Sequence, residues 1–172
     1  MSNFIAFEVN QEENVFDRGL IKKQRTPLQE GHVEIRVRYS DINYKDALAS
    51  SKNGGVIRQY PMTPGIDLAG EIVSSNDERF PVGKEVLVTG YGLGVSHPGG
   101  FSQYQQVPVE WLVEIPAPLD MKTAMTYGTA GFTAALAVVA LNQKNYDKDA
   151  PIYITGASGG VGSVSIALLS HL

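Results

Sequence analysis

Ala157, Gly159 and Gly162 fall in the spacing A-x-G-x-x-G, and that spacing has a chemical use. Glycine at 159 lets the main chain approach a pyrophosphate. Glycine at 162 lets a helix pack closely on a preceding strand, and the free amides of the helix start favour an anion. Ser158 adds a hydroxyl donor. Residues 152–155 (Ile, Tyr, Ile, Thr) are β-branched or aromatic and suit a buried strand. Val161, Val164, Leu168 and Leu172 recur at i, i+3, i+7 and i+11, which predicts one apolar helix face. Strand, glycine turn and helix form the front half of a βαβ dinucleotide-binding unit. Ser158, Gly159, Gly160, Val161 and Gly162 are therefore the candidate phosphate cradle. The alternative is a glycine-rich turn without a ligand, and the flanking strand and helix argue against it.

Other polar side chains have weaker patterns. Asn43 and Asp46 lie three apart and share a face if that segment is helical. From the residues alone helix entry is the favoured reading, since Asp41 and Asn43 are both good caps. Thr129 sits at a glycine-marked helix break, where it suits an N-cap for the next helix. His97, Asp67 and Glu71 match no metal-ligand spacing, and His32 and His171 read as solvated surface histidines. There are no cysteines, which excludes disulfides, iron–sulfur clusters and thiolate zinc sites.

These residues need elements to hold them. Residues 4–9 read as a strand, and 12–25 are polar without a clear pattern. Residues 33–39 alternate apolar and charged, a half-buried antiparallel strand with one wet face. A loop with a short helical turn covers 40–51. Short strands follow at 68–74, 85–89, 101–107 and 111–115, separated by glycine and proline turns. That spacing predicts a small, partly open β-barrel. Near Pro116 the period changes from 2 to 3.6. Asp120 is a candidate N-cap for a helix over 121–127, and residues 128–131 interrupt it. Phe132, Leu136, Val139 and Ala140 predict the apolar face of a second helix. The expected division is a barrel domain at 1–118 and the start of a nucleotide-binding domain at 119–172, a mixed α/β fold.

The turn also fits T-G-x-x-x-G-x-G at residues 155–162, the cofactor turn of short-chain dehydrogenases, but in that family it opens the chain. Here about 150 residues precede it without alternating strands and helices. The chain has 172 residues, a formal charge of −4 and 43% hydrophobic content, which is ordinary for a globular protein. Mild acidity gives no nucleic-acid footprint. No run approaches the roughly 20 apolar residues of a membrane span, and the start lacks the features of a signal peptide. The expectation is a cytoplasmic protein with no nucleic-acid or membrane partner.

Five blocks carry a specific resemblance. They are Asn43-Tyr44-Lys45-Asp46-Ala47-Leu48, Pro64-Gly65-Ile66-Asp67-Leu68-Ala69-Gly70, Gly99-Gly100-Phe101-Ser102, Gly128-Thr129-Ala130-Gly131-Phe132-Thr133-Ala134, and residues 155–162. In this order they resemble the YhdH/YhfP branch of the medium-chain dehydrogenases/reductases, a quinone oxidoreductase-like group that includes acryloyl-CoA reductases. The resemblance implies a GroES-like barrel followed by a Rossmann domain, in a family chain roughly twice this length that forms homodimers. It implies an NADPH-dependent enzyme passing hydride to an activated alkene, such as acryloyl-CoA or a similar enoyl thioester, or to a quinone. A non-enzymatic dinucleotide-binding module is the alternative. Zinc-dependent relatives place ligands where this chain has Asn43 and Ile66, so the resemblance implies a zinc-free site. It assigns Tyr44, Asn43 and Asp46 to catalysis, and Asp67, which replaces the glutamate of the zinc enzymes, either to catalysis or to a structural carboxylate facing the cleft. Tyr44, Thr129 and residues 158–162 are assigned to the cofactor, with the active site expected between barrel and glycine turn. The residue that reads the ribose lies about 20 positions past such a turn, beyond Leu172.

Overall fold

The computed structural model describes residues 2–13, 15–144, 146–147 and 149–171. It divides into two compact units, Met1–Met125 and Thr126–Leu172.

In the first unit, β1 (Asn3–Glu12) and β2 (Val15–Gln24) form a two-stranded antiparallel sheet. A five-stranded sheet contains β3 (His32–Tyr39), β4 (Asp67–Ser75), β5 (Glu85–Thr89), β6 (Tyr104–Pro108) and β7 (Val113–Glu114), in the order β6-β3-β4-β5-β7. The edge strands β6 and β7 are consecutive in sequence, joined by the four residues 109–112, three of them a 3₁₀ turn at Val109–Trp111. A flat sheet would separate those edges by four strand spacings, about 19 Å. A connector with a 3₁₀ turn cannot bridge that flat distance, since even a fully extended one reaches only about 17 Å. The sheet must therefore curl, giving the expected partly open barrel.

The alternating apolar positions fill its interior. Val33, Ile35, Leu68, Ile72, Val86, Val88, Leu93 and Val107 are buried in one cluster, closed by Val109 and Leu112. Burial of each such side chain contributes roughly 1.5–3 kcal/mol. The other face of β3 is not simply wet. Glu34 is 5% exposed and is paired with Arg25. The Arg25 guanidinium also lies 4.7 Å from the centroid of the Tyr104 ring.

Several expected elements differ. Residues 12–25 contain β2, whose pattern is obscured because Leu20 points outward at 76% exposure while Lys23 turns in to Glu8 at 2.7 Å. The strand expected from 101 begins at Tyr104, because residues 101–103 pair with β1 instead (Phe7 N to Phe101 O, 2.8 Å; Gln103 N to Ile5 O, 3.0 Å). Only two residues of 111–115 are strand.

Residues Met121–Asn142 (α2) are helical, with Asp120 Oδ1 accepting from Thr123 N at 2.7 Å. Gly128 lies outside helical space (φ 48°, ψ −152°), so α2 is two helices joined at a kink. Together they are long and apolar enough to cross a membrane by length and composition, contrary to the reading that no such run exists. Core helices of globular proteins pass the same test.

In the second unit, helix α3 (Gly160–Leu169) follows the glycine turn. The faces it and α2 bury are not those expected. Phe132, Leu136 and Val139 are more than half exposed, while Ala134 and Val138 are buried. In α3, Gly162 and Ser165 are buried, and Val161 and Leu168 are not. Leu172 lies outside the described residues. The small residues win because they allow close approach: a Cβ on Gly160 would stand 3.0 Å from the Ala130 methyl. The expected strand at 152–155 is also absent. A strand needs a ladder partner, and the described residues supply none there, leaving Tyr153 88% exposed.

Candidate functional site

Strand register fixes one end of the barrel. Tyr39 pairs with Ala69 and Asp67 with Thr89, so residues 40–66 and 90–103 emerge from the same end. Helix α1 (Tyr44–Ala49) lies in the first of these segments, with Asn43 as N-cap.

Asn43, Asp46 and Asp67 are brought together there. Asn43 Nδ2 donates to Asp67 Oδ2 at 2.8 Å. Asp46 Oδ2 accepts the Asn43 main-chain N–H at 2.8 Å. Asp46 Oδ1 accepts Gly65 N at 3.1 Å and Ile66 N at 2.9 Å. Asp46 is 1% exposed and Asp67 fully buried. Asp46 is thus a clamp, tying the start of α1 to the loop before β4. Gly65 suits that loop by conformation (φ +103°), and by space, since a Cβ would meet the main chain of Gly100 and Phe101 at 2.6–2.7 Å.

Ser40 escaped the reading of the sequence, and Asp41 was read there only as a helix cap. Ser40 Oγ donates to the Asp67 carbonyl at 2.6 Å, bracing the same corner. Burial raises the Asp41 carboxyl above the ordinary aspartate value, and the negative charges of Asp67 and Asp46 add to the shift. The hydrogen bond from Ile42 N (2.7 Å) opposes it. Only the acidic density of residues 41–46 hinted at this.

Tyr44 stands at the first turn of α1 with 80% of its surface exposed. Its ring and hydroxyl are available on this unit's surface. Ile66, at the other expected zinc-ligand position, is 7% exposed and apolar. Among the described residues, no three His, Cys, Asp or Glu side chains are placed to hold a metal ion.

The second unit holds the other group. Gly159 is the N-cap of α3 and offers no side-chain acceptor, so the first-turn amides of Gly160, Val161 and Gly162 are left for solvent or a ligand. Space agrees with their types. Among the described residues, the only neighbour a Cβ at Gly159 would meet is Gly156 O at 3.3 Å, leaving its outer side open. A Cβ at Gly162 would collide with the Gly156 carbonyl and stand 2.8 Å from Ala157 Cα. Ser158 is exposed beside them. The turn fits a pyrophosphate: an open approach, uncapped amides and no acidic side chain in the first helical turn. Thr129 is half-buried just past the kink, its carbonyl accepting Thr133 Oγ1 at 2.7 Å, and the next residue, Ala130, faces Gly160.

Comparison with known proteins bears on both groups. The alcohol dehydrogenase GroES-like domain family matches residues 29–117. Acrylyl-CoA reductase AcuI of Ruegeria pomeroyi is 43% identical across 100% of this chain and 52% of its own length. YhfP of Bacillus subtilis, named a putative quinone oxidoreductase, is 52% identical over 80% of this chain and 42% of its own. The crystal structure of YhfP with NAD bound superposes with a TM-score of 0.92 at 44% identity, covering 98% of this chain and 52% of that one. The YhdH oxidoreductase of Salmonella enterica, crystallised with NADP, gives 0.90 at 44% identity, over 96% and 51%. The chain spans about half the length of the curated relatives it matches. By that domain match and those identities, the chain belongs to the alcohol dehydrogenase GroES-like family, in the YhdH/YhfP branch of the medium-chain dehydrogenases/reductases.

Proposed function

We propose that the protein is an NADPH-dependent reductase of activated alkenes, with acryloyl-CoA or a similar enoyl thioester as substrate and a quinone as the other acceptor class. The observation that carries this is the uncapped, sterically open start of α3 in a chain 43–52% identical to reductases of those two names.

The cofactor, when bound, supplies the hydride. The chain supplies the rest. The amides of Gly160, Val161 and Gly162 and the Ser158 hydroxyl receive the pyrophosphate, and the bare Cα of Gly159 lets it approach. Thr129 is the proposed donor to the nicotinamide amide. Reduction adds a hydride at the β-carbon of the alkene and a proton at the α-carbon, with negative charge passing through the thioester oxygen. A donor aimed at that oxygen lowers the barrier. Tyr44 is the proposed donor, and its ring packs on the cofactor. Asn43 and Asp67, hydrogen-bonded at 2.8 Å, are proposed as the polar pair beside it. Asp46 is moved from the catalytic set to a positioning role, because its oxygens accept three main-chain amides and its surface is buried. Zinc is not required in this reading, since Asn43 and Ile66 are poor ligands for it. A cytoplasmic homodimer completes it, by resemblance to the family.

The test follows NADPH absorbance in full-length protein with acryloyl-CoA and, separately, a quinone, before and after exhaustive chelation. Turnover that survives chelation is the expected result. NADPH binding with no turnover on any acceptor would make the protein a cofactor-binding module instead.

A further inference from the structure

A groove of about 430 Å³ opens on the first unit, lined by Val56, Arg58, Gln59, Val95 and Ser96. Its walls belong to segments 40–66 and 90–103, which leave the barrel at the end that carries the Asn43–Asp46–Asp67 corner. Both walls are anchored. Val56 packs on the cluster of Val9, Ala49, Ile57 and Met62. The other wall is a tight loop in which Ser96 N donates to Gly92 O at 2.9 Å and Gly94 and Gly99 abut Gly65. Gly65 is itself held by Asp46. The groove is therefore built on the frame that fixes the candidate catalytic residues.

Arg58 sets the groove apart. The other five arginines each have an acceptor: Arg18 the Ser50 carbonyl, Arg25 Glu34, Arg36 and Arg38 Glu71, and Arg79 Asp77 and Glu110. Arg58 makes no hydrogen bond, ion pair or ring contact among the described residues, yet it lines an apolar wall. Gln59 and Ser96 add exposed polar groups beside it. A guanidinium fork beside two valines suits an anion carried on an apolar arm. Within the reductase reading, on which this inference rests, only one of the two acceptor classes has that form. A quinone is neutral and carries no anion for Arg58 to pair with. A coenzyme A thioester carries phosphates at the far end of a long pantetheine chain.

We propose that this groove is the subsite for the phosphate-bearing arm of an acyl-CoA substrate, with Arg58 as the phosphate anchor. As a phosphate anchor Arg58 acts in binding and takes no part in the chemical step.

The experiment compares acryloyl-CoA with acryloyl-N-acetylcysteamine, which has the same reacting group and no phosphate, in full-length wild-type enzyme, Arg58→Gln and Arg58→Lys. The quantity read is the ratio of kcat/KM for the two thioesters. In Arg58→Gln that ratio should fall about tenfold or more through KM for the CoA ester. Arg58→Lys should recover part of it, as a charge without the fork. Added salt should depress the CoA reaction selectively in wild type. An unchanged ratio in an active Arg58→Gln enzyme overturns the subsite alone, and so does an equal loss on both esters. A wild-type enzyme that reduces neither thioester overturns the reductase reading and the subsite with it.

Discussion

Asp46→Asn separates positioning from catalysis. In the native corner one carboxylate oxygen accepts two amides, from Gly65 and Ile66, and the other accepts the amide of Asn43. Asparagine keeps one oxygen. If that oxygen stays with Gly65 and Ile66, the new NH₂ group faces the Asn43 N–H, donor against donor. The residue is 1% exposed, so water cannot repair the mismatch. A hydrogen bond to a charged group contributes roughly 1.5–3 kcal/mol, and a buried unsatisfied donor costs about as much again. One bond is lost and two are weakened, so the substitution should cost on the order of 3–5 kcal/mol. For a unit of this size that lowers the melting temperature by about 10 °C or more. Urea and thermal unfolding of full-length protein would measure it. Hydrogen exchange should show the Gly65 and Ile66 amides losing protection first. A general acid or base would behave differently: kcat would collapse while stability held. A melting temperature within about 2 °C of wild type, with those amides still protected, would refute the clamp.

Three further outcomes follow from the geometry. Tyr44→Phe should lower kcat and kcat/KM together, on the order of 10²-fold, with NADPH affinity nearly intact if the hydroxyl donates in the transition state. If the ring only seats the cofactor, Phe should be nearly silent and Tyr44→Ala should weaken NADPH binding; wild-type behaviour of both removes Tyr44 from the site. Gly159→Val fills the open side of the turn and should strongly reduce NADPH affinity in a fluorescence titration, so unchanged binding in a folded variant rejects the cradle. Asp41 is held above its ordinary value by burial and by its acidic neighbours, so protonation of this group favours the folded state. That contribution is complete below the unfolded pKa and lost as pH rises through the higher folded one. Asp41→Asn, which keeps an oxygen for the Ile42 amide, should therefore raise the urea midpoint modestly at neutral pH. The gain should vanish in acid below the ordinary aspartate range, and a gain that persists there would contradict the assignment.

What the sequence revealed depended on how local the signal was. The glycine turn was legible because its steric demands lie within seven residues: Gly162 is fixed by the carbonyl of Gly156. The barrel strands were legible wherever alternation was clean, as in β3. β2 was not, because Leu20 faces out and Lys23 faces in, reversing the usual pattern. The Asn43–Asp46 pair was visible, but its partners were not. Gly65 and Ile66 donate main-chain amides from 19 and 20 residues away, and main-chain donors leave no mark in residue type. The helix faces misled for another reason. Both helices carry apolar residues on several sides, and periodicity cannot tell a large exposed stripe from the small-residue face that Gly160 and Ala130 bring together.

The short connector between β6 and β7 also bears on association. Unpaired strand edges are where one chain recruits another into a growing sheet. Curling brings the two borders of this sheet close and leaves little border to recruit. One border strand is only two residues long. The other is guarded at the Gln106 side chain, which donates to the carbonyls of Thr26 and Pro27 and accepts from Gln29 N at 3.1 Å. Lengthening the segment 109–112 would relax the curl and uncover both borders, and sheet-to-sheet aggregation during refolding should rise even if the native contacts still form.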